Sequence, residues 1–316
     1  MVAHPGATSA IGKARMKRAA GVTRLSPQIP CRLCGGRDAR ISFQRDGYSV
    51  LQCSECGLVY LDHTIHPEGL RNFYSADYFQ GVSKQGYHDY WALQASLTAT
   101  ARVRLRQMTR FCSPGRLLEV GCAMGFFLRA AQQVGWEVQG VELSDHAAKV
   151  ARKQFKLPVV TGCLEDAHFP GESFDAVAMW DVIEHVPEPV SLVREVVRVL
   201  RPGGLVALST GDVTSLLARL SGPRWHLYNL PQHLSFFSPA TIRRLESMGL
   251  RVKQLGHDSA MYTFEYLAYR LRIVYPNRLT SWLFQATGKA RAGRCGVWIN
   301  LGDIMTVFAL KEQVHK

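Results

Sequence analysis

The chain has 316 residues, 47% of them hydrophobic and 20% charged, with 38 lysines and arginines against 25 aspartates and glutamates and a net charge of +13. This is an ordinary globular composition for one large domain or two smaller ones. It contains no run of 18 or more apolar residues, which argues against a membrane-spanning helix, and no apolar core of a secretory signal. The eight cysteines are too few for a disulfide scaffold and favour a reducing, cytoplasmic setting.

Charge collects at the two ends. Residues 1–30 hold Lys13, Arg15, Lys17, Arg18 and Arg24 with no acid, and residues 251–316 carry +6. Basic ends suit a membrane surface, a nucleic acid or an anionic substrate, or simply a solubilising tail. The Gly, Ala, Ser and Pro mixture of residues 1–30 has too little apolar content to fold and reads as a disordered tail; a transit peptide has a similar composition.

Cys31-x2-Cys34 and Cys53-x2-Cys56 follow, 18 residues apart, in the contexts CRLCGG and CSECGL. That spacing is of a four-cysteine zinc ribbon over residues 31–60, and four thiolates close a tetrahedral site to water and substrate. The ribbon therefore reads as a structural appendage, with Cys34→Ser expected to destabilise without a specific catalytic defect. His63 and His66 read as surface histidines, since the thiolates already fill the site. Residues 61–111 form a connector and helical cap that includes FYSADYF, Phe73 to Phe79.

The segment 112–258 carries the densest signal. In RLLEVGCAMGFFLRAA an apolar strand ends on Glu119, turns through Gly121 and Gly125, and opens into an apolar-periodic helix. Glu142 ends the next strand, 21 residues after Gly121. This places a nucleoside cofactor at the carboxyl edge of a parallel sheet. The glycines read G-x-x-x-G, with Ala123 where a dinucleotide fingerprint has its middle glycine, so the pyrophosphate cradle is weak. A phosphate-free, cationic ligand with an amino-acid tail suits Glu119, which can receive an ammonium group, and Glu142, which can accept both ribose hydroxyls. Further on, Phe174 to Met179 is a buried strand with Asp181 just past its end. Pro187 and Pro189 open a helix whose apolar face is Val190, Val193, Val196, Val197 and Leu200, and Pro202-Gly203-Gly204 turns the chain into Leu205 to Leu208. Ser238 caps a helix with Pro239 at its first position, and Gly249 closes it.

The order of the glycine turn, SFD, WDVIEH and LRPGG strongly resembles class I S-adenosylmethionine (SAM) methyltransferases, especially relatives of the ubiquinone-biosynthesis enzymes, closely over residues 116–210 and loosely to 250. The FYSADYF stretch is similar to the connector of methyltransferases with an amino-terminal zinc ribbon; its tyrosines either cover the cofactor cleft or pack the ribbon on the core. The resemblance implies an α/β, Rossmann-like seven-stranded sheet finished by an antiparallel pair, Leu250 to Leu255 and Ile304 to Leu310. It places Gly121 and Gly125 against the cofactor's methionine, Glu142 on the ribose, Leu164, Glu165 and Asp166 beside the adenine, and Trp180 and Asp181 near the sulfonium. Cys163 stands where many relatives carry aspartate, which leaves the adenine amino contact open.

An oxygen acceptor needs a proton removed, and histidine is the natural base. His185 follows Glu184 at the catalytic edge, and His233 lies in the aromatic stretch PRWHLYNLPQHLSFFSP; Arg224 and His226 are lesser candidates for an anionic acceptor. Each histidine is alternatively a satisfied polar group of a loop. Residues 259–301 form an aromatic and basic helical insertion with Pro276 as a break, serving as a cap, a dimer surface or a peripheral membrane contact for a lipid-linked acceptor. Residues 302–316 supply the final strand and tail. The reading is an O-methyltransferase of a small-molecule, glycan or lipid-linked acceptor. An RNA or protein methyltransferase docking through ribbon and basic ends, and a non-catalytic SAM-binding scaffold, are the alternatives. The ribbon is not arginine-rich and no basic-aromatic RNA-binding motif is evident, which argues against nucleic acid. No pattern sets the oligomeric state.

Overall fold

The computed structural model describes residues 24–25, 27–65, 69, 73–79, 89–289 and 295–313. Most of the expected 1–30 tail lies outside these, as do His66, Arg291 and Arg294.

In chain order, four strands come first: β1 (Arg24–Leu25), β2 (Ala39–Arg45), β3 (Tyr48–Cys53) and β4 (Val59–Leu61). Helices α1 (Ala76–Phe79) and α2 (Gln94–Met108) lead to β5 (Arg116–Val120), α3 (Phe126–Gln133), β6 (Glu137–Glu142), α4 (Asp145–Phe155) and β7 (Val159–Thr161). Then come β8 (Phe174–Trp180), α5 (Pro189–Val199), β9 (Leu200–Gly211), α6 (Leu216–Ser221), β10 (Ser235–Phe236) and α7 (Pro239–Arg243). The chain finishes with β11 (Leu250–His257), β12 (Ala260–Thr263), α8 (Phe264–Val274), α9 (Arg278–Lys289), β13 (Gly296–Ile299) and β14 (Ile304–Lys311).

The central sheet has seven strands in the order β11-β14-β9-β8-β5-β6-β7. β5 to β9 run parallel, and β14 is antiparallel to both β9 and β11. Alternation along the strands feeds two cores. Leu117, Ala176, Ala178, Leu205 and Ala207 face α2, α3 and α4, whereas Leu118, Val177, Met179, Val206 and Leu208 face α5 and the 237–245 segment. Such sheets are covered on both sides, which is why β5 and β8 are apolar apart from Arg116, Glu119 and Asp175.

Two local expectations change. Leu200 is not on the apolar face of α5 but opens β9, with extended backbone. The Pro-Gly-Gly turn is a bulge inside that strand: Phe174 pairs with Leu200 and Ala176 with Leu205, so Arg201 to Gly204 loop out between them. A proline cannot give a ladder hydrogen bond, and Gly203 takes the left-handed φ of 76° that the excursion needs. By contrast, Ser238 caps α7 through a reciprocal capping box with Thr241, and Gly249 closes the following turn.

The cysteine-bearing segment is no appendage. Its sheet runs β1-β2-β3-β4-β10, and β10 belongs to the stretch that follows the central sheet's β9. Phe43, Val50, Val59 and Leu61 share a core with Trp225, Leu230, Leu234 and Phe236. Arg32 donates to the carbonyls of Pro187 and His63, both at 2.7 Å, and Arg45 donates to those of Pro223 and Tyr228. The insertion holds the two helices expected around Pro276, and also the ribbon β12/β13, which had no strong sequence signal.

Candidate functional site

The carboxyl ends of β5, β6 and β8 lie side by side and gather most of the expected cofactor residues. The turn after β5 demands its glycines: Gly121 and Gly125 have φ of 71° and 84°. A Cβ on Gly121 would lie 2.7 Å from Val182 Cγ2, and one on Gly125 2.5 Å from Leu157 Cδ1. Ala123, between them, also takes a left-handed φ of 47°. Its N–H donates to Glu142 Oε2 at 2.8 Å, while Glu142 Oε1 accepts the Ser144 N–H at 2.7 Å. Glu142 thus ties the turns after β5 and β6 together, and each oxygen keeps a lone pair for a ligand. Burial raises its pKa, opposed by these backbone donors.

Glu119 is buried, and its Oε2 has no hydrogen-bond partner among the described residues. Desolvation lifts its carboxyl well above the usual range; Arg104 works against the shift and Glu142 adds to it. A buried carboxylate oxygen without a donor fits a cationic ligand group. Leu164 is buried in the core, whereas Glu165 is exposed and Asp166 accepts the Cys163 N–H at 3.1 Å.

Arg104 is a residue that motif reading misses. From α2 its guanidinium lies 4.2 Å over the Trp180 ring, and its Nη2 donates to Ser209 Oγ at 3.3 Å. Ser209 Oγ in turn donates to Asp181 Oδ1 at 2.8 Å and accepts the Asp181 N–H at 3.1 Å. The available signal was an arginine at helical spacing from the buried Thr100, Ala101 and Met108.

The two expected histidines meet. The rings of His185 and His233 are 4.5 Å apart, edge to face. His185 Nδ1 is 2.9 Å from Tyr74 Oη and 3.2 Å from the Gln232 carbonyl. A carbonyl only accepts, so that bond puts the proton on Nδ1 and leaves Nε2 basic. Desolvation lowers His185 to about 4 and His233 well below its ordinary value, so both are neutral at pH 7. Glu184 is buried beside them and raised to about 8 by desolvation and by Asp181. The ligating atoms of Glu184, His185 and His233 all lie within 4.8 Å, a spacing that a metal ion can span. Tyr74 belongs to the FYSADYF connector, whose rings line this edge of the sheet; Phe79 packs with Met124 and Phe126.

A second polar group borders the same edge. Asp303 Oδ2 accepts from Trp225 Nε1 at 2.9 Å and lies 3.6 Å from His226 Nδ1. His257 Nε2 is 3.0 Å from Asp212 Oδ2. Arg224, by contrast, is exposed.

The four clustered cysteines converge, with Cys31 and Cys56 Sγ 3.4 Å apart, Cys34 and Cys53 Sγ 3.5 Å apart, and all four within 4.8 Å. All are free thiols. Gly35 and Gly57 follow the two pairs with φ of 76° and 80°, and their N–H groups bond back to Cys31 and Cys53 carbonyls. The two knuckles are therefore built alike.

This fold and this edge define a class of protein. A methyltransferase domain model matches residues 91–255, and the chain belongs to that family. The ubiquinone biosynthesis O-methyltransferase of Thiobacillus denitrificans is 34% identical over 154 residues, covering 44% of this chain and 66% of that protein. Its namesake in Xanthomonas campestris pv. campestris (strain B100) is 36% identical over 126 residues, covering 37% and 52%. In both, the match spans under two thirds of the relative's length. Among solved structures, phosphoethanolamine N-methyltransferase 2 of Haemonchus contortus, in complex with S-adenosyl-L-methionine, shares the fold with a TM-score of 0.51 at 20% identity, over 81% of this chain and 62% of that one.

Proposed function

We propose that this chain is a SAM-dependent methyltransferase that methylates an oxygen of a small-molecule or lipid-linked acceptor. The carrying observation is the buried, partnerless Glu119 Oε2 beside Glu142 and the Gly121–Gly125 turn. The cofactor supplies an electrophilic methyl group on a sulfonium. Glu119 receives the ammonium, the free lone pairs of Glu142 take the ribose hydroxyls, and Leu164 to Asp166 border the adenine. Trp180 and Asp181, fixed by Arg104 and Ser209, flank the methionine end. His185 or His233 removes the acceptor proton; the pair is neutral at pH 7, as a base must be. Transfer is in line, so positioning carries most of the rate. The names of the matched relatives support an oxygen acceptor.

A zinc ion held by Cys31, Cys34, Cys53 and Cys56 completes the proposal. Tetrahedral bonds of about 2.3 Å separate ligand sulfurs by about 3.8 Å, close to the spacings of the quartet. Phe264, Leu271, Ile273, Leu279 and Trp282 are exposed on α8 and α9, which supports peripheral contact with a lipid surface. No helix among the described residues is long and apolar enough to cross a membrane.

Calorimetric titration with S-adenosylhomocysteine tests the reading. Tight binding by wild type and loss in Glu142→Ala is expected; a folded, zinc-loaded protein that fails to bind overturns it. Turnover of labelled SAM with catechol, absent in a His185→Ala/His233→Ala variant that still binds cofactor, tests the base.

A further inference from the structure

Several partly buried arginines lack a carboxylate among the described residues but are otherwise engaged: Arg32 bonds two carbonyls, Arg152 a carbonyl and the Thr161 hydroxyl, and Arg104 the Ser209 hydroxyl and the Trp180 ring. Arg270 is less fully engaged than these. Arg270 meets no carboxylate among the described residues; its one hydrogen bond is from Nη2 to the His226 carbonyl at 3.3 Å. The nearby acid, Asp303, is already held by Trp225 Nε1 and His226. An arginine stays charged at any physiological pH, and a partly buried one without an anion is incompletely compensated.

Its surroundings come from three separate segments. Its Nη2 on the His226 carbonyl fixes its place beside that loop; burial is what chiefly lowers His226 and His233 and raises Tyr78 in α1, with the Arg270 charge adding to the first two shifts and opposing the third. One helical turn earlier, Tyr266 stacks on Tyr262 with rings 5.9 Å apart and 8° from parallel. The N–H of the adjacent Met261 donates to Thr100 Oγ1 at 2.9 Å, one turn before Arg104 on α2, which sets Tyr262 toward the cofactor side. Tyr262 and Tyr266 therefore lead from the methyl-donor side toward a guanidinium, with His226 beside it and His233 of the proposed base pair within reach of its charge.

We infer that Arg270 binds an anionic group of the acceptor, a carboxylate or phosphate, and that the aromatic rings between it and Asp181 hold the acceptor's body. This rests on the methyltransferase reading for the word acceptor; the anion site itself does not. A planar guanidinium with free N–H groups suits the two oxygens of either anion.

The test uses the full-length, zinc-loaded protein with and without saturating S-adenosylhomocysteine, titrated calorimetrically with sodium benzoate, phenyl phosphate and neutral benzyl alcohol. At least one anion should bind about tenfold or more tightly than benzyl alcohol, as expected for a charge-assisted pair. R270Q should erase that preference and R270K should keep part of it, with S-adenosylhomocysteine affinity unchanged in both; R270K serves should R270Q fail to fold. Benzoate binding more tightly identifies a carboxylate acceptor, and phenyl phosphate a phosphorylated one. Equal binding of benzyl alcohol, no binding of any probe, or an anion preference that survives R270Q overturns the inference, while cofactor binding keeps the methyltransferase reading alive. Arg270-dependent anion binding without S-adenosylhomocysteine binding supports the site and removes the methyltransferase reading.

Discussion

Tyr60 and Ser235 face each other in an antiparallel ladder, and this pair joins the cysteine-bearing sheet to the loop that carries His233. The connection continues through one residue: the Leu61 N–H donates to the Leu234 carbonyl at 2.9 Å, and the Leu234 N–H donates to the Glu184 carbonyl at 2.7 Å. By this path the ribbon is two hydrogen bonds away from the turn bearing His185, and Arg32 reaches the Pro187 carbonyl just past that turn directly.

Removal of the proposed zinc should reach the histidine edge. Chelation, or Cys34→Ser, should lower the melting temperature by several degrees and raise hydrogen exchange over residues 230–237, while S-adenosylhomocysteine affinity in the folded fraction stays within about threefold, since sites coupled through one ladder share only part of their stability. Mass spectrometry of exchange on zinc-free protein decides it. Unchanged exchange over those residues would restore the view of the ribbon as a detached appendage.

Glu119 should trade stability against ligand binding. Its carboxyl is raised above the ordinary 4.5, so the folded chain holds a proton that the unfolded chain releases near that pH. Stability then falls as pH rises from 4.5 toward the raised value. Glu119→Gln removes this slope: variant and wild type should melt together near pH 4.5 and the variant higher at pH 8. Its affinity for S-adenosylhomocysteine should drop about tenfold through loss of a charged hydrogen bond. Thermal melts across pH, paired with calorimetry, check both halves, and a variant less stable at pH 8 would contradict the assignment.

For Glu142 the loss is double. Glu142→Ala removes the proposed ribose acceptors and also strands the N–H groups of Ala123 and Ser144, at roughly 1–3 kcal/mol for each buried donor left unpaired. Cofactor affinity should fall by about tenfold or more, and urea denaturation should show the destabilisation in the ligand-free protein. Glu142→Gln, which keeps one carbonyl acceptor, should fall between the two.

Two glycines separate backbone strain from crowding. Gly135, at φ of 92°, has nothing within 4 Å of an added Cβ, whereas at Gly125 that atom meets Leu157 Cδ1 at 2.5 Å and Ala151 Cβ at 3.1 Å. Gly135→Ala should cost about 1–2 kcal/mol for the left-handed backbone alone. Gly125→Ala should cost a further 1–3 kcal/mol or so for overpacking. Urea titrations of the pair measure the difference, and equal losses would show that α3 shifts freely.

What the sequence by itself determined is local. The strand, glycine turn and helix around Glu119, the second acid Glu142, the paired cysteine knuckles and the Ser238 cap each rest on spacings of a few residues, where periodicity and turn chemistry act directly. Even the bulge at Pro202-Gly203-Gly204 announced a turn, and only its place inside β9 was hidden, because the partner strand sets register. The tertiary structure alone decided the long-range meetings: Arg104 over Trp180, Tyr74 on His185, His185 against His233, and Tyr60 beside Ser235. Those contacts join segments far apart in the chain, so no local pattern records them. They form because the sheet brings its carboxyl ends, the connector and the ribbon to one edge, where burial and hydrogen-bond satisfaction select the partners.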